Sequence, residues 1–321
     1  GLIDFKLIHQ LRKIEGLPGH PDINTPNVIT NTGSLGMGVS KAKGLIKANR
    51  LNKTTCKVFV MTGDGELQEG QFWESILRVK QEQMSELIII IDNNKFQSDR
   101  SVKSTSDLGK LEDKINSFGI ETLHANGNNI YDFSKSLTRL INNNNPSALI
   151  ANTTKGNGVS YLDASNLKEG EFYRYHSGSI NNDLYKKCMN ELLSRIKQIL
   201  NNHSISLELK LINFTDSEPI APTINNQQSL IKEYTNALLD ETRNNDKIVA
   251  LDGDLILDTG LIPFEKEFPD RFFECGIAEQ DMVSQAGTLA LQGFIPIVHS
   301  FASFLSARPN EQIYNNATEN T

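Results

Sequence analysis

The sequence has 321 residues, and 32 Lys+Arg against 39 Asp+Glu give a formal net charge of −7. Such a length suits about two domains with proper cores, and 38% hydrophobic with 22% charged residues excludes a disordered or fibrous chain. The acidic balance, without any basic run, argues against a general nucleic-acid binder, and the longest apolar runs fall far short of the roughly 20 residues that span a bilayer. Three cysteines (Cys56, Cys188, Cys275) without a C-x-x-C give neither a disulfide framework nor a zinc site. The opening Gly1-Leu2-Ile3-Asp4 is no signal peptide, so a cytoplasmic protein is expected.

Taken in chain order, residues 57–62 read as a buried strand ending at Gly63-Asp64-Gly65. A helix is expected over 69–82, with Phe72, Ile76, Leu77 and Val79 on its apolar face. Residues 87–91 form an apolar run without alternation, the mark of a strand covered on both faces. Helix 106–118, strand 121–124, helix 132–142 and the apolar run 148–151 continue the rhythm. Repeated β-α units of this kind imply an α/β fold with a doubly wound parallel sheet. Residues 155–178 read as loop and 184–200 as an amphipathic helix. The polar stretch 213–228, with Pro219 and Pro222, reads as an interdomain linker. A second α/β rhythm follows, with helix 230–242, strand 247–251, helix 261–267, strand 272–275, helix 279–291 and strand 295–299. Residues 1–203 are therefore expected to form one domain, 204–228 a linker, and 229–321 part of a second domain.

Ligands of such sheets bind at the carboxyl ends of the strands, so the residues there carry the argument. Gly63-Asp64-Gly65 lies where a strand meets a helix, with glycines permitting close backbone approach and helix amides facing a phosphate. An Asp at that point is expected to hold a divalent cation against a diphosphate, although taken alone the tripeptide reads equally well as a plain turn. Thirty residues on, the next strand ends in Asp92-Asn93-Asn94, which sets Asn94 at the neighbouring tip. One carboxylate, one amide oxygen and a backbone carbonyl make an incomplete, oxygen-only shell that suits Mg²⁺ completed by phosphate and water.

Gly-Asp-Gly followed by Asn some thirty residues later is the signature of thiamine-diphosphate enzymes. Gly63-Asp64-Gly65-Glu66-Leu67-Gln68-Glu69-Gly70 with Ile91-Asp92-Asn93-Asn94 resembles the transketolase family. Gly19-His20-Pro21-Asp22, Thr32-Gly33-Ser34-Leu35-Gly36-Met37-Gly38 and Thr153-Thr154-Lys155-Gly156-Asn157-Gly158 are similar to further family motifs, in family order. Gly276-Ile277-Ala278-Glu279-Gln280 and Ser300-Phe301-Ala302-Ser303-Phe304-Leu305 match in the second domain. The resemblance implies the thiamine-diphosphate-binding fold and makes Asp64 and Asn94 metal ligands, with the carbonyl of Phe96, for Mg²⁺ or Ca²⁺. It implies that Gly33 and Leu35 meet the aminopyrimidine, and that Gly65, Glu66 and Lys155 belong to the cofactor site. Glu279 becomes the acid on the pyrimidine nitrogen, expected to hold a proton in an apolar pocket. Phe301 and Phe304 stack on that ring, and Asp254 lies near the cofactor. His20 touches the donor ketose and His176 the diphosphate region.

The implied activity is transfer of a two-carbon ketol unit from a ketose to an aldose through a thiamine diphosphate carbanion. The implied partners are sugars or sugar phosphates and a second copy, in a homodimer with the site at the subunit interface. The runner-up is 1-deoxyxylulose-5-phosphate synthase or a 2-oxoacid decarboxylating enzyme. A non-catalytic cofactor-binding or dimerising fragment is the alternative of another class, because the family normally begins before Gly1 and continues beyond Thr321. Two departures stand out: Ile231 takes the place of a sugar-phosphate-gripping arginine, and Gln280-Asp281 follows the glutamate.

Overall fold

The computed structural model describes residues 3–14, 16–168, 170–177, 180–208 and 230–319. The chain divides into two compact units. One comprises Gly1–Asp92, Lys110–Ala125 and Tyr131–Ala151, and the other Asn93–Gly109, Asn126–Ile130 and Asn152–Thr321. In chain order the first half carries α1 (Phe5–Ile8), α2 (Gly38–Leu51), β1 (Val58–Gly63), α3 (Gly70–Ile76), β2 (Leu87–Asn93), α4 (Val102–Thr105), α5 (Leu111–Ser117), β3 (Glu121–Asn126), α6 (Ile130–Ile141) and β4 (Ser147–Asn152). Then follow α7 (Asn182–Asn202), α8 (Leu230–Asn244), β5 (Ile248–Asp252), α9 (Ile256–Thr259), α10 (Ile262–Glu267), β6 (Phe272–Glu274), α11 (Glu279–Leu291), β7 (Ile295–His299), α12 (Ala302–Ala307) and α13 (Asn310–Thr318). Most of the expected linker lies outside the described residues.

The first sheet has the order β1-β2-β4-β3. β1 and β2 are parallel, with Val58 opposite Leu87 and Gly63 opposite Asp92. β2 is covered on both faces, as its unbroken apolar run predicts: Leu87, Ile88, Ile89 and Ile91 are buried. One face packs Ile88 and Leu149 against Leu140, Phe133 and Leu137 of α6. β1 departs from the expectation of a buried strand. Val58 and Val60 point inward, but Phe59 and Met61 are 47% and 73% exposed, so one face of this strand is open.

Helix α2 has no counterpart in the sequence reading. Val39, Ala42 and Ile46 form its buried stripe, but Gly44 and three lysines dilute the apolar signal. The helix expected over 69–82 is shorter. A 3-10 turn over Gly65–Gln68 precedes α3, and the chain leaves helix after Ile76, which turns Leu77 out to 62% exposure. The helix expected over 106–118 is broken by Gly109, whose φ of 59° is readily adopted only without a Cβ. α11 and β7 coincide with their expected spans.

The second sheet runs β6-β5-β7, with both outer strands parallel to β5. Ile248 and Ala250 of β5 face Leu238 and Leu239 of α8, Ile256 of α9 and Phe264 of α10. Val249 and Leu251 face Met282 and Ala286 of α11. Helices therefore cover both sides of β5, and polar groups gather at its carboxyl end. This is where the strand order reverses, the place such sheets offer to ligands. Phe264 is fully buried in this core. Phe264→Ala should cost about 3–5 kcal/mol, read as a lowered midpoint in urea unfolding followed by circular dichroism.

Candidate functional site

The first unit builds a cradle at the carboxyl end of β1. Gly33 has φ of 95°, and a Cβ there would lie 2.8 Å from Cγ of His20, so the exposed His20 stands directly against the Gly33 backbone. Gly36 has φ of 77° and leaves no room for a Cβ beside Glu69. Its amide donates to Glu66 Oε1 at 2.9 Å, while Gly63 N–H reaches Oε2 at 3.3 Å. Burial pushes the Glu66 carboxyl up, against the two amide donors. The Glu66 side chain thus braces the glycine loop, a role the sequence reading did not give it. Asp64 is 1% exposed. Its Oδ1 accepts from Gly65 N–H at 2.9 Å, and its own N–H donates to the Asp92 carbonyl at 3.1 Å. Leu35 sits half-buried in the same loop.

In the second unit Asn94 folds the chain back on itself. Its Oδ1 accepts from Phe96 N–H at 2.9 Å, and Lys95 takes φ of 70°. The chain then makes a small hairpin, with Phe96 bridged to Ser101 and Gln97 N–H bonded to the Arg100 carbonyl at 2.9 Å. Lys155 Nζ donates to the Gln97 carbonyl, lies 4.9 Å from the Tyr173 ring centroid and approaches His176 Nδ1 at 3.1 Å. Desolvation and the Lys155 charge lower the His176 pKa, with Asp258 opposing, and because the Lys155 ammonium can only donate, Nδ1 is the acceptor in this pair. Asp254, 5% exposed and at φ of 64°, accepts from Ser98 N–H at 3.3 Å. Asn94, Phe96, Lys155, His176 and Asp254, distant in sequence, therefore surround one hairpin.

Glu279 occupies a different setting from the apolar pocket expected. It is 2% exposed at the start of α11, but Arg308 Nη1 reaches both carboxylate oxygens at 2.9 Å and Ser300 Oγ lies at 3.4 Å. The reason is the turn after α12, which brings the guanidinium over the Phe304 ring, 4.0 Å from its centroid. Phe301 and Phe304 rings are 5.6 Å apart, and Phe301 is 45% exposed. Arg308 carries no motif, and its partner 29 residues away could not be read from spacing.

The second sheet holds carboxyl groups that parallel register forces together. Asp252 pairs with Glu274 on one side and His299 on the other. Asp252 accepts from Leu255 N–H and Thr259 Oγ1. Glu274 Oε1 accepts from Asp254 N–H and Gly276 N–H, and Oε2 has no hydrogen-bond partner among the described residues. Burial, then repulsion from Asp252, raises the Glu274 pKa to about 8; burial chiefly raises that of Asp252 to about 7. Nearby, Asp99 rises to about 6 through burial and the charges of Asp258 and Asp254. All three pKa values lie above those of the unfolded chain, so the stability these groups confer is present at low pH and is lost as pH rises through these values. Between pH 6 and 8.5 the melting temperature should fall, and Glu274→Gln, which mimics the protonated group, should flatten that slope.

Comparison with known proteins bears on the whole chain. The family model for the transketolase thiamine diphosphate binding domain matches residues 2–171, and that for the transketolase pyrimidine binding domain matches 226–321. Transketolase of Mus musculus is 29% identical over 304 residues, 92% of this chain and 47% of that protein. Transketolase-like protein 2 of the same organism is 30% identical over 317 residues, 97% of this chain and 50% of its own length. An apulose-4-phosphate transketolase subunit of Phocaeicola vulgatus is 32% identical over 184 residues, 57% of this chain and 63% of its own length. The crystal structure of transketolase from Campylobacter jejuni aligns with a TM-score of 0.49 at 20% identity, over 96% of this chain and 54% of that one. The chain spans about half the length of the full transketolases it matches. Because the first of these models alone covers more than half of the residues, the chain belongs to the transketolase family.

Proposed function

We propose that this chain binds thiamine diphosphate through a divalent cation, Mg²⁺ or Ca²⁺, and serves transfer of a two-carbon ketol unit from a ketose to an aldose. The observation that carries the reading is the register of the first sheet. Gly63 pairs with Asp92, and Asp64 and Asn94 come within two residues of this pair in the sequence. The donor chemistry supports it: a buried carboxylate, an amide oxygen and the Phe96 carbonyl are hard oxygen ligands of the kind these cations take with phosphate and water. The glycine loop supports it too, since Gly33 and Gly36 adopt conformations and close approaches that side chains would block.

When bound, the cofactor supplies the electron sink for breaking a carbon–carbon bond next to a carbonyl. The protein's part is positioning and proton control. His20, held against Gly33, is proposed to contact the donor hydroxyls, and His176, an acceptor toward Lys155, to stand near the diphosphate. Phe301 and Phe304 are proposed to stack on the pyrimidine. Glu279 is proposed to meet the pyrimidine nitrogen, which requires sharing its carboxylate with Arg308. Gly65, Glu66 and Asp254 complete the proposed cofactor contacts. A homodimer with sugar or sugar-phosphate substrates is proposed for the intact protein. No helix among the described residues is long and apolar enough to cross a membrane, and a cytoplasmic setting is proposed.

Binding has a direct thermodynamic readout. Thiamine diphosphate with Mg²⁺ at 100 times Kd should stabilise the protein by about 2.7 kcal/mol, seen as a raised melting temperature, and Asp64→Ala should remove the part that needs the cation. An unshifted wild-type protein would count against cofactor binding. Turnover of a ketose with an aldose acceptor, compared with decarboxylation of pyruvate, distinguishes the reaction, and activity with pyruvate alone would replace ketol transfer by 2-oxoacid chemistry.

A further inference from the structure

The hairpin that follows Asn94 is held from two directions. From the proposed cofactor side it receives Lys155 on the Gln97 carbonyl and Asp254 on the Ser98 amide. The Lys155 ammonium is a group that a bound diphosphate would compete for. On its other side Arg100 ties it to α10. Arg100 places Nη1 3.0 Å and Nη2 2.5 Å from the two oxygens of Glu265 on α10. Its guanidinium also lies 5.0 Å from the Phe172 ring centroid. The Arg100 side chain is 19% exposed and that of Glu265 31%. A forked, planar pair of this kind fixes direction as well as distance, which a lysine ammonium does not.

Arg100 is also wired into the turn itself. Its carbonyl accepts from Gln97 N–H, and neighbouring bonds tie Tyr173 N–H to the Asp99 carbonyl at 2.7 Å and Val102 N–H to the Lys95 carbonyl at 2.9 Å. A displacement of Arg100 is therefore passed through the hairpin to Phe96 and to the Asn94 Oδ1 that accepts the Phe96 amide. The anchoring helix α10 is itself fixed by Phe264 in the core of the second sheet.

We infer that Arg100 is a positioning residue for the cation: by gripping Glu265 and Phe172 it sets the hairpin that presents Asn94 and the Phe96 carbonyl. The inference rests on the proposed cation site and adds to it a residue outside that site, on a helix the cofactor reading does not use. Partners of this supporting kind are worth about 10–100-fold in metal affinity.

The test measures the apparent Kd for Ca²⁺ by isothermal titration into the full chain with saturating thiamine diphosphate, beside melting curves without either ligand. Arg100→Ala should raise that Kd about tenfold, and the exchange of charges in Arg100→Glu with Glu265→Arg should recover most of the loss. Arg243→Ala is the control. It breaks a similar forked pair with Glu267, at 2.7 and 2.8 Å, so it should lower the melting temperature and leave the Ca²⁺ constant unchanged. If Arg100→Ala does not fold, Glu265→Gln is read in the same terms. An unchanged Ca²⁺ constant in the folded variant, or an equal change in Arg243→Ala, overturns the role of Arg100. A wild-type protein whose cofactor binding ignores Ca²⁺ overturns the cation site on which the role depends.

Discussion

Parallel pairing in register is the constraint on which the rest of this structure depends. In a sheet covered on both faces a polar side chain has no place within the strands, because an unpaired polar group in that interior costs several kcal/mol. The buried polar residues of such strands therefore lie toward their ends, and at the carboxyl tips register decides which of them stand side by side. β1 and β2 end with Gly63 opposite Asp92. β6, β5 and β7 end with Glu274, Asp252 and His299 abreast. The loops then supply what the tips lack: left-handed glycines at 33 and 36 in one unit, and the Asn94 turn in the other.

The second sheet shows how that constraint shapes electrostatics. Two acids are pushed together at the tips of neighbouring strands, and the fold offers backbone amides and a threonine hydroxyl in place of a cation. Arg100 offsets the rise at Asp252 only in part, because its fork is committed to Glu265. The outcome is a set of carboxyl groups that take up protons near neutrality. His299, next to them, is a structural histidine: its ring bonds Tyr234 Oη at 2.6 Å and the Leu251 carbonyl at 3.1 Å, and burial lowers its pKa.

Much of this is legible in the sequence wherever the signal is local. An unbroken Leu87-Ile88-Ile89-Ile90-Ile91 run is enough to mark a central strand, and Gly-Asp-Gly at a strand end is enough to mark a tip. Helix α2 escapes because Gly44 and its lysines blur a narrow stripe of Val39, Ala42 and Ile46. β1 reads as a buried strand because alternation cannot be seen when the outward residues, Phe59 and Met61, are themselves apolar. The partners of site residues are the least legible. Asp252 and Glu274 meet only through strand register, and Arg100 and Arg308 find their acids 165 and 29 residues away. No periodicity reports such distances.

Arg308 changes what can be asked of Glu279. In place of an apolar pocket, a guanidinium that reaches both oxygens fixes the direction as well as the distance of the carboxyl group. The Arg308 side chain is 12% exposed and Glu279 is almost sealed, so neither charge can be left unpaired without a large penalty. The ring nitrogen proposed to meet Glu279 would have to share the carboxylate with Arg308 or draw the arginine away from it. The stacking of that same guanidinium on Phe304 couples the two outcomes, because moving Arg308 uncovers one of the rings proposed to receive the ligand. The acid, the cation and the aromatic face are therefore one packed unit, in which Glu279, Arg308 and Phe304 cannot be rearranged one at a time.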